Sequence, residues 1–504
     1  MDLIPLSTVA AGLSSLMQPD ILLWCLVGVI VGFIFGASPG LTATTGVAIA
    51  TPLTFGVDFN AAMALLLGIY AAGYYAGSIP AILINTPGSP GNAATALPGY
   101  RLARKGLADY AIGLSTIGSS LGGLLSLAVL LFLAPKLSTF ALKFTSVEYF
   151  SLGIFGLMCV AAVAGGSIIK GIIAAAFGML ISTVGIDQVD GVTRFAFGMP
   201  ELQGGIPLIP ALIAFFAIAE ILSQIDRNAG DNSLPEQKGV AMKSLVPVFA
   251  RNWWVVIQSA VVGTFIGILP GTGPTIASWI AYGMTGAGRS KGAATDGDAR
   301  EIEDDTRHLI ASEVSNNAVT GGALVPLLTL GIPGDTVTAV LVGALLIQGI
   351  DPGPFFIMQN GDLFVVILGV LLISAILITV LGLGARRLLP KILAIPYPVL
   401  TPIVAILCVT GVYAVNNSSF DVILAIALGI LGFVLLSFRF PMPPIVIGLV
   451  LGPIIETNFR NGLLANHGDP MVFITRPISG VLLAIVAALL VWQTVRHLRR
   501  TSSS

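Results

Sequence analysis

The sequence predicts an all-α, polytopic integral membrane protein made of two inverted-topology repeats whose helices are broken at Pro-Gly pairs. Three observations predict it. Of the 504 residues, 55% are hydrophobic and 10% are charged, with a mean hydropathy of +0.95, whereas a soluble domain carries roughly a quarter charged residues. Apolar runs long enough to cross a bilayer recur along the chain, giving roughly 12–14 membrane segments with re-entrant pieces among them. The text also repeats itself: GFIFGASPG (Gly32–Gly40) is answered by GTFIGILPG (Gly263–Gly271), and PAILINTPG (Pro80–Gly88) by PLLTLGIPG (Pro326–Gly334). After three extra residues in the first copy, NAATAL (Asn92–Leu97) is answered by DTVTAV (Asp335–Val340). Two Pro-Gly breaks per half, in the same order, are how transporters set a polar site at membrane depth.

Apolar helices are expected at about 21–36, 61–84, 107–134, 146–165, 168–186 and 206–225 in the first half. In the second they fall at about 253–269, 309–330, 335–350, 363–383, 398–414, 420–437, 442–455 and 477–494. The segments 41–55 and 274–286, each following the first Pro-Gly of its half, are short and rich in Thr, Gly and Pro, so they read as re-entrant or half helices. Residues 1–19 read as a surface-lying lead-in. The chain thus divides into an N-terminal transmembrane repeat (1–225), a cytoplasmic linker (226–252), a C-terminal transmembrane repeat (253–495) and a basic, Ser-rich cytoplasmic tail (496–504). The N-terminus carries Asp2 and no basic n-region, so Ile21–Phe35 reads as a retained helix rather than a secretory signal.

A net charge of −1 suggests no nucleic-acid partner. Cys25, Cys159 and Cys408 are isolated in apolar stretches, which excludes a disulfide framework or metal cluster. His308, His467 and His497 are scattered and have no metal-binding spacing. GAGRSK (Gly286–Lys291) is not a phosphate loop, because Gly follows its Lys and no strand precedes it. No cofactor is expected beyond a possible coupling Na+, and no extramembrane domain is large enough to hold an enzyme or a nucleotide site.

Charge placement orients the repeats. Arg101, Arg104 and Lys105 follow the second break of the first half, while the matching loop DPGPFFIMQNGD from Asp351 has no base. At the first break the relation flips: Val57–Asn60 has no base, while its counterpart holds Arg289 and Lys291. By the positive-inside rule the two copies face opposite sides. Arg386, Arg387, Lys391, Arg439 and the tail bases Arg496, Arg499 and Arg500 then fall inside, with Lys136, Lys143, Arg194 and Arg460 outside. The stretch Arg289–His308 reads as a solvated cytoplasmic loop.

The breaks are where chemistry is expected. Pro removes an N–H and Gly allows a sharp reversal, and an unpaired backbone group in lipid costs several kcal/mol, so a broken helix needs a use for its open groups. Exposed carbonyls suit a small cation, and N–H groups at helix starts suit an anion. The first break offers Ser38, Pro39, Gly40, Thr42, Thr44 and Thr45. The second offers Asn85, Thr86, Pro87, Gly88, Ser89, Asn92 and Thr95. The third offers Pro270, Gly271, Thr272, Gly273, Thr275 and Ser278, with Asn316 and Asn317 facing the same region as candidate ligands. Gly331, Pro333, Gly334, Asp335, Thr336 and Thr338 at the fourth are candidates for cation coupling. Small residues also serve close packing, which is the better account of Gly32, Gly36, Gly263 and Gly267. Asp335 caps the helix that follows it, joins a cation or proton site, or both. Glu313, preceding Asn316, Asn317 and Thr320, is likewise a functional suspect as an acid in an apolar span, or simply sits at the interface near the charged stretch.

These segments resemble the large membrane subunit of the tripartite tricarboxylate transporters, the TctA family. The matching text is GASPGLTATTG, GSIPAILINTPGSPGNAATALPGY with RLARKG after it, GILPGTGPTIASW, and EVSNNAVTGGALVPLLTLGIPGDTVTAV. The resemblance implies a secondary transporter of the bacterial inner membrane that imports organic carboxylates, including citrate, with sodium or proton coupling. It also implies two partners, a small four-helix membrane subunit and a periplasmic solute-binding protein. Thr86 departs from the family pattern, where an aliphatic residue is expected as at Ile332, and the added hydroxyl bears on substrate choice. Two rivals stand beside this reading. A passive channel also tolerates broken helices, and an intramembrane aspartyl protease using Asp335 lacks a paired aspartate in a second span.

Overall fold

Length and apolarity set the architecture. A computed structural model describes residues 5–38, 40–163, 167–224, 245–287, 297–384 and 397–501. In chain order the main helices are α1 (Leu6–Leu16), α2 (Pro19–Ala37), α3 (Ala43–Leu53), α4 (Phe59–Ala76), α5 (Ser78–Ile84), α6 (Ala93–Arg104) and α7 (Ala108–Ala141). Then come α8 (Ser146–Val163), α9 (Ile168–Ser182) and α10 (Leu208–Ile213), the last running on through a π-helical turn at Ala214–Ile218. The second half holds α11 (Trp253–Ile268), α12 (Gly273–Ala287), α13 (Gly297–Leu330), α14 (Thr336–Ile347) and α15 (Gly361–Gly384). It closes with α16 (Tyr397–Asn416), α17 (Ser419–Ser437), α18 (Met442–Ala465) and α19 (Pro477–Thr501).

Among the described residues 6 helices are long and apolar enough to span a bilayer, α4 and α5 counting as one, and several shorter apolar helices accompany them. The protein is an all-α polytopic membrane protein. The only strand pairing among the described residues joins Gly185–Ile186 to Thr193–Arg194. α3, with 11 residues, reaches about 17 Å at 1.5 Å per residue, short of the ~30 Å hydrocarbon layer.

Each half repeats one packing device. In the first, α2 lies along α4, and a Cβ on Gly36 would meet Gly73 O at 2.3 Å. In the second, α11 lies along α13, and a Cβ on Gly263 would meet Ser315 O at 2.3 Å. Only glycine lets these backbones touch, so the repeated glycines are packing residues. The halves also interlock. α7 packs along α13 of the other half and α15 along α4, so each broken helix is flanked by a long helix from its twin.

Two expected helix bounds need correction. The charged stretch before His308 is helical from Gly297, because its acids pair with the end of α6: Asp305 with Arg101, and Glu301 with Lys105 at 2.6 Å. Arg289 and Lys291 lie outside the described residues, as do Arg386, Arg387 and Lys391. The helix expected to stop at 134 runs through Pro135 to Ala141. Of the expected linker, Val246–Arg251 is a short helix, and Arg227, Lys238 and Lys243 lie outside the described residues. The lead-in is helical and packs on α15, where a Cβ on Gly12 would meet Val365 Cβ at 2.6 Å.

Candidate functional site

The four breaks share one local chemistry: a helix ends, the chain reverses, and a new helix begins. At the first, α2 ends at Ala37, Gly40 takes φ 84°, and Thr42 caps α3 by accepting Thr45 N–H at 3.2 Å. At the third, Gly271 takes φ 70° and α12 starts at Gly273. Both are left-handed conformations that favour glycine. The second and fourth breaks match more closely still. Asn85 (φ 54°) and Gly331 (φ 71°) end α5 and α13. The next N–H, from Thr86 or Ile332, returns to Pro80 O or Pro326 O at 3.3 Å in both. Gly88 then donates to Gly77 O at 3.0 Å, and Gly334 O accepts Gly271 N–H at 2.8 Å.

The helix starts that follow converge on one cavity of about 470 Å3. Thr42, Thr44 and Thr45 line it from α3, and Ser89, Pro90 and Gly91 from the 3-10 turn leading into α6. Gly271, Thr272, Gly273, Pro274 and Thr275 line it from the start of α12, and Thr336 from α14. The hydroxyls of Thr44 and Thr336, one from each half, lie 2.9 Å apart. Phe215 and Phe216 form part of an apolar wall, and the π turn there leaves Phe216 O to accept the Thr45 hydroxyl at 2.9 Å. Among the described residues lining the cavity there is no Lys, Arg or His, and Glu220 is the one carboxylate.

Asp335, 1% exposed, lies outside the cavity but is bonded to Tyr74, which lines it. Its Oδ1 accepts Thr338 N–H at 2.8 Å in a capping box. Its Oδ2 accepts the hydroxyls of Tyr70 (2.6 Å) and Tyr74 (2.7 Å). Its two roles therefore divide: the capping one is realised, and both oxygens are occupied by protein donors. Asn92 and Asn316 each donate an amide N–H to Tyr74 O, at 3.2 and 3.1 Å. Ser38 Oγ, Asn316 Oδ1 and Asn317 Nδ2 are buried without a hydrogen-bond partner.

Of the sequence-predicted residues, the cavity therefore gathers Thr42, Thr44, Ser89, Gly271, Thr272, Gly273, Thr275 and Thr336. Ser38, Gly88, Asn92, Thr95, Pro270, Asn316, Asn317, Pro333, Gly334, Asp335 and Thr338 are buried but do not line it. Gly40 and Pro87 are half-buried outside it, and Pro39 lies outside the described residues. Asn85 and Thr86 are exposed. The Thr86 hydroxyl reaches only its own turn at Ile84 O (3.3 Å), so its placement gives no contact with the cavity. Gly331 lines a larger cavity of about 730 Å3 together with Asp187, Arg194 and Glu456.

Sequence reasoning missed Tyr70, Tyr74 and the setting of Glu313. The signal for the tyrosines was present: two phenols four residues apart in an apolar helix must each find an acceptor. Glu313 does not face solvent. It is 0% exposed, and accepts Thr95 Oγ1 at 2.5 Å, Ser115 Oγ at 2.8 Å and Ser119 Oγ at 2.9 Å.

A polytopic helical protein whose interrupted helices start around one hydroxyl-lined cavity has the build of a membrane transport subunit. The family model described as "Tripartite tricarboxylate transporter TctA family" matches residues 22–447. The chain belongs to the TctA family. It is 37% identical over 507 residues to an uncharacterized 52.8 kDa protein in the TAR-I ttuC' 3' region of Agrobacterium vitis, covering 97% of this chain and 96% of the relative. An uncharacterized protein in the TAR-II ttuC' 3' region of the same organism is 39% identical over 223 residues, 44% of this chain and 90% of that one. No solved structure matches.

Proposed function

We propose that this subunit carries an organic di- or tricarboxylate through the hydroxyl-lined cavity, as the import pathway of a cation-coupled secondary transporter in the bacterial inner membrane. The observation that carries the reading is the convergence of four helix starts on a cavity with no basic side chain. Each start is worth roughly half a positive charge, and Asp335 offsets the one it caps. The Glu220 carboxylate also lines the cavity, so a polyvalent anion there is held by directed N–H groups and hydroxyls rather than by a net positive charge. The volume of about 470 Å3 lies within the roughly 300–1,000 Å3 usual for small-molecule sites.

The two halves act as inverted repeats in this reading. Their matched breaks and glycine contacts support a common unit, and the bases Arg101, Arg104 and Lys105 in one copy only support opposite orientation. The basic end of α19 then lies in the cytoplasm. A periplasmic binding protein delivers the anion, and the small four-helix subunit completes the complex. The protease reading is disfavoured because Asp335 already accepts four donors and lies 1% exposed.

The test is uptake of radiolabelled citrate, succinate and tartrate by proteoliposomes holding the complex, under imposed sodium or pH gradients. Thr44→Val and Thr275→Val each remove a cavity-lining hydroxyl, a donor to a charged group being worth about 1.5–3 kcal/mol, so uptake affinity is expected to fall at least about tenfold. Equilibration without accumulation under either gradient indicates a passive channel. Unchanged uptake in both variants removes the cavity as the site.

A further inference from the structure

A carboxylate at membrane depth costs about 2.5–3.5 kcal/mol on insertion scales, so its surroundings reveal its use. Glu313 lies mid-way along α13, fully buried, and touches neither cavity described above. Its donors come from other elements: Thr95 from α6, and Ser115 and Ser119 from α7. Among the described residues no Lys, Arg or His forms an ion pair with it. On α4 the titratable neighbours are Tyr75, whose hydroxyl pairs with Thr116 at 2.8 Å, and Tyr74, committed to Asp335. On α6 and α13, Arg101 and Asp305 pair with each other, and Arg307 of α13 forms no ion pair with Glu313; on α7, Tyr110 lies 3.3 Å from the Thr306 hydroxyl. His308 is bound to Asp304 O and packs on Tyr282 of α12. α11 carries no titratable residue.

The hydroxyls around Glu313 form a chain with two complete polarities. Ser115 Oγ lies 2.6 Å from Ser78 Oγ, which lies 2.7 Å from Tyr75 O. With the acid ionised, Ser78 donates to Ser115 and Ser115 donates to the carboxylate. With the acid protonated, its O–H donates to Ser115, Ser115 to Ser78, and Ser78 to the Tyr75 carbonyl. Each hydroxyl carries a single proton, and both arrangements use every one. The same group also reaches the cavity. Ser89, which lines it, donates to Asn92 Oδ1 at 2.7 Å, and Asn92 Nδ2 lies 3.5 Å from Glu313 Oε1.

We propose that Glu313 is the proton-binding group of this transporter, loaded in step with the anion cavity through Asn92 and Ser89. This rests on the reading of that cavity as the carboxylate site. On loading, one proton leaves water and an O–H bond forms at a Glu313 oxygen, taking its charge from −1 to 0; release is the reverse. Neutralising Glu313 removes a negative charge close to the bound anion, so proton and anion strengthen each other's binding by reciprocity, which is the sign a symporter needs.

Infrared spectra of the purified full-length protein across about pH 4–9, spanning ordinary carboxyl and histidine values, test the group directly. A protonated carboxyl C=O band that titrates in wild type is expected to vanish in Glu313→Gln and to persist in Asp335→Asn. In proteoliposomes holding the complex, an inside-alkaline gradient is expected to drive citrate or succinate uptake, and Glu313→Gln to lose that stimulation. If Glu313→Gln does not fold, Ser115→Ala with Ser119→Ala is expected to shift the band and raise its titration midpoint. A band unaffected by these changes, or gradient-driven uptake that persists in Glu313→Gln, overturns the proposal. If no carboxylate is transported at all, the cavity reading falls while the infrared titration still decides Glu313.

Discussion

At the residue scale, backbone geometry separates positions that look alike in sequence. Asn85 and Gly331 occupy the same place in the two copies and share left-handed angles. Asn tolerates that region and branched residues do not. Asn85→Val is therefore expected to lower stability by about 1–2 kcal/mol, and Asn85→Gly to leave it within about 0.5 kcal/mol, read as thermal unfolding in detergent. Glycines divide in the same way. A Cβ on Gly88 would meet Gly36 O at 2.3 Å, whereas one on Gly123 of α7 meets nothing within 4 Å. Gly88→Ala is expected to destabilise by about 1–3 kcal/mol through overpacking. Gly123→Ala is expected to gain up to about 1 kcal/mol of helix propensity. Equal melting temperatures for the two variants contradict this account.

At the element scale, the breaks were legible because Pro-Gly pairs announce themselves, and the repeat made each one readable twice. What encloses them was not legible. Nothing local to Glu313 reveals that Thr95, Ser115 and Ser119 surround it, since those donors arrive from α6 and α7 through tertiary packing. The helical start of α13 was hidden by its charge, which looks like solvent exposure until its partners on α6 are known. Asp335 shows the division well: its cap could be read from Thr338 three residues on, whereas Tyr70 and Tyr74 signal a need for an acceptor without saying that it is Asp335. Tyr70→Phe and Tyr74→Phe each remove a hydrogen bond to a charged group, worth about 1.5–3 kcal/mol, and their effects are expected to be non-additive with Asp335→Asn in a double-mutant cycle.

Another element depends on acid. The short hairpin around Gly185–Arg194 is held to α18 by Arg460, which pairs with Asp187 and Asp190, and by Arg194, which pairs with Glu456 at 2.7 Å. The Asp187 carboxyl is held below its usual range, first by the Val189 N–H and then by the Arg460 guanidinium. A depressed carboxylate stabilises above its unfolded value of about 3.9 and loses that contribution as pH falls through its lower folded value. Hydrogen exchange at 185–194 is expected to rise on acidification below that value. Arg460→Gln lifts the folded value toward normal, so exchange at 185–194 is expected to be faster already at neutral pH and to rise less on acidification.

At the scale of the whole molecule, the halves do not sit side by side as separate units. α3 of the first half packs on α14 of the second, and α12 of the second on the turn leading into α6 of the first. The cavity thus lies on seams between copies, and any motion of one half against the other must reshape it. The closest such contact between side chains lining the cavity is the 2.9 Å approach of the Thr44 and Thr336 hydroxyls. Replacing both by cysteine places two thiols where those oxygens are, while the native Cys25, Cys159 and Cys408 are buried and unpaired. Mild oxidation of Thr44→Cys/Thr336→Cys is expected to lock the seam, abolish uptake and be reversed by a thiol reductant, whereas each single variant stays insensitive. Inhibition without a cross-link detectable by mass spectrometry, or a cross-link that leaves uptake intact, means the halves do not part along this seam during transport.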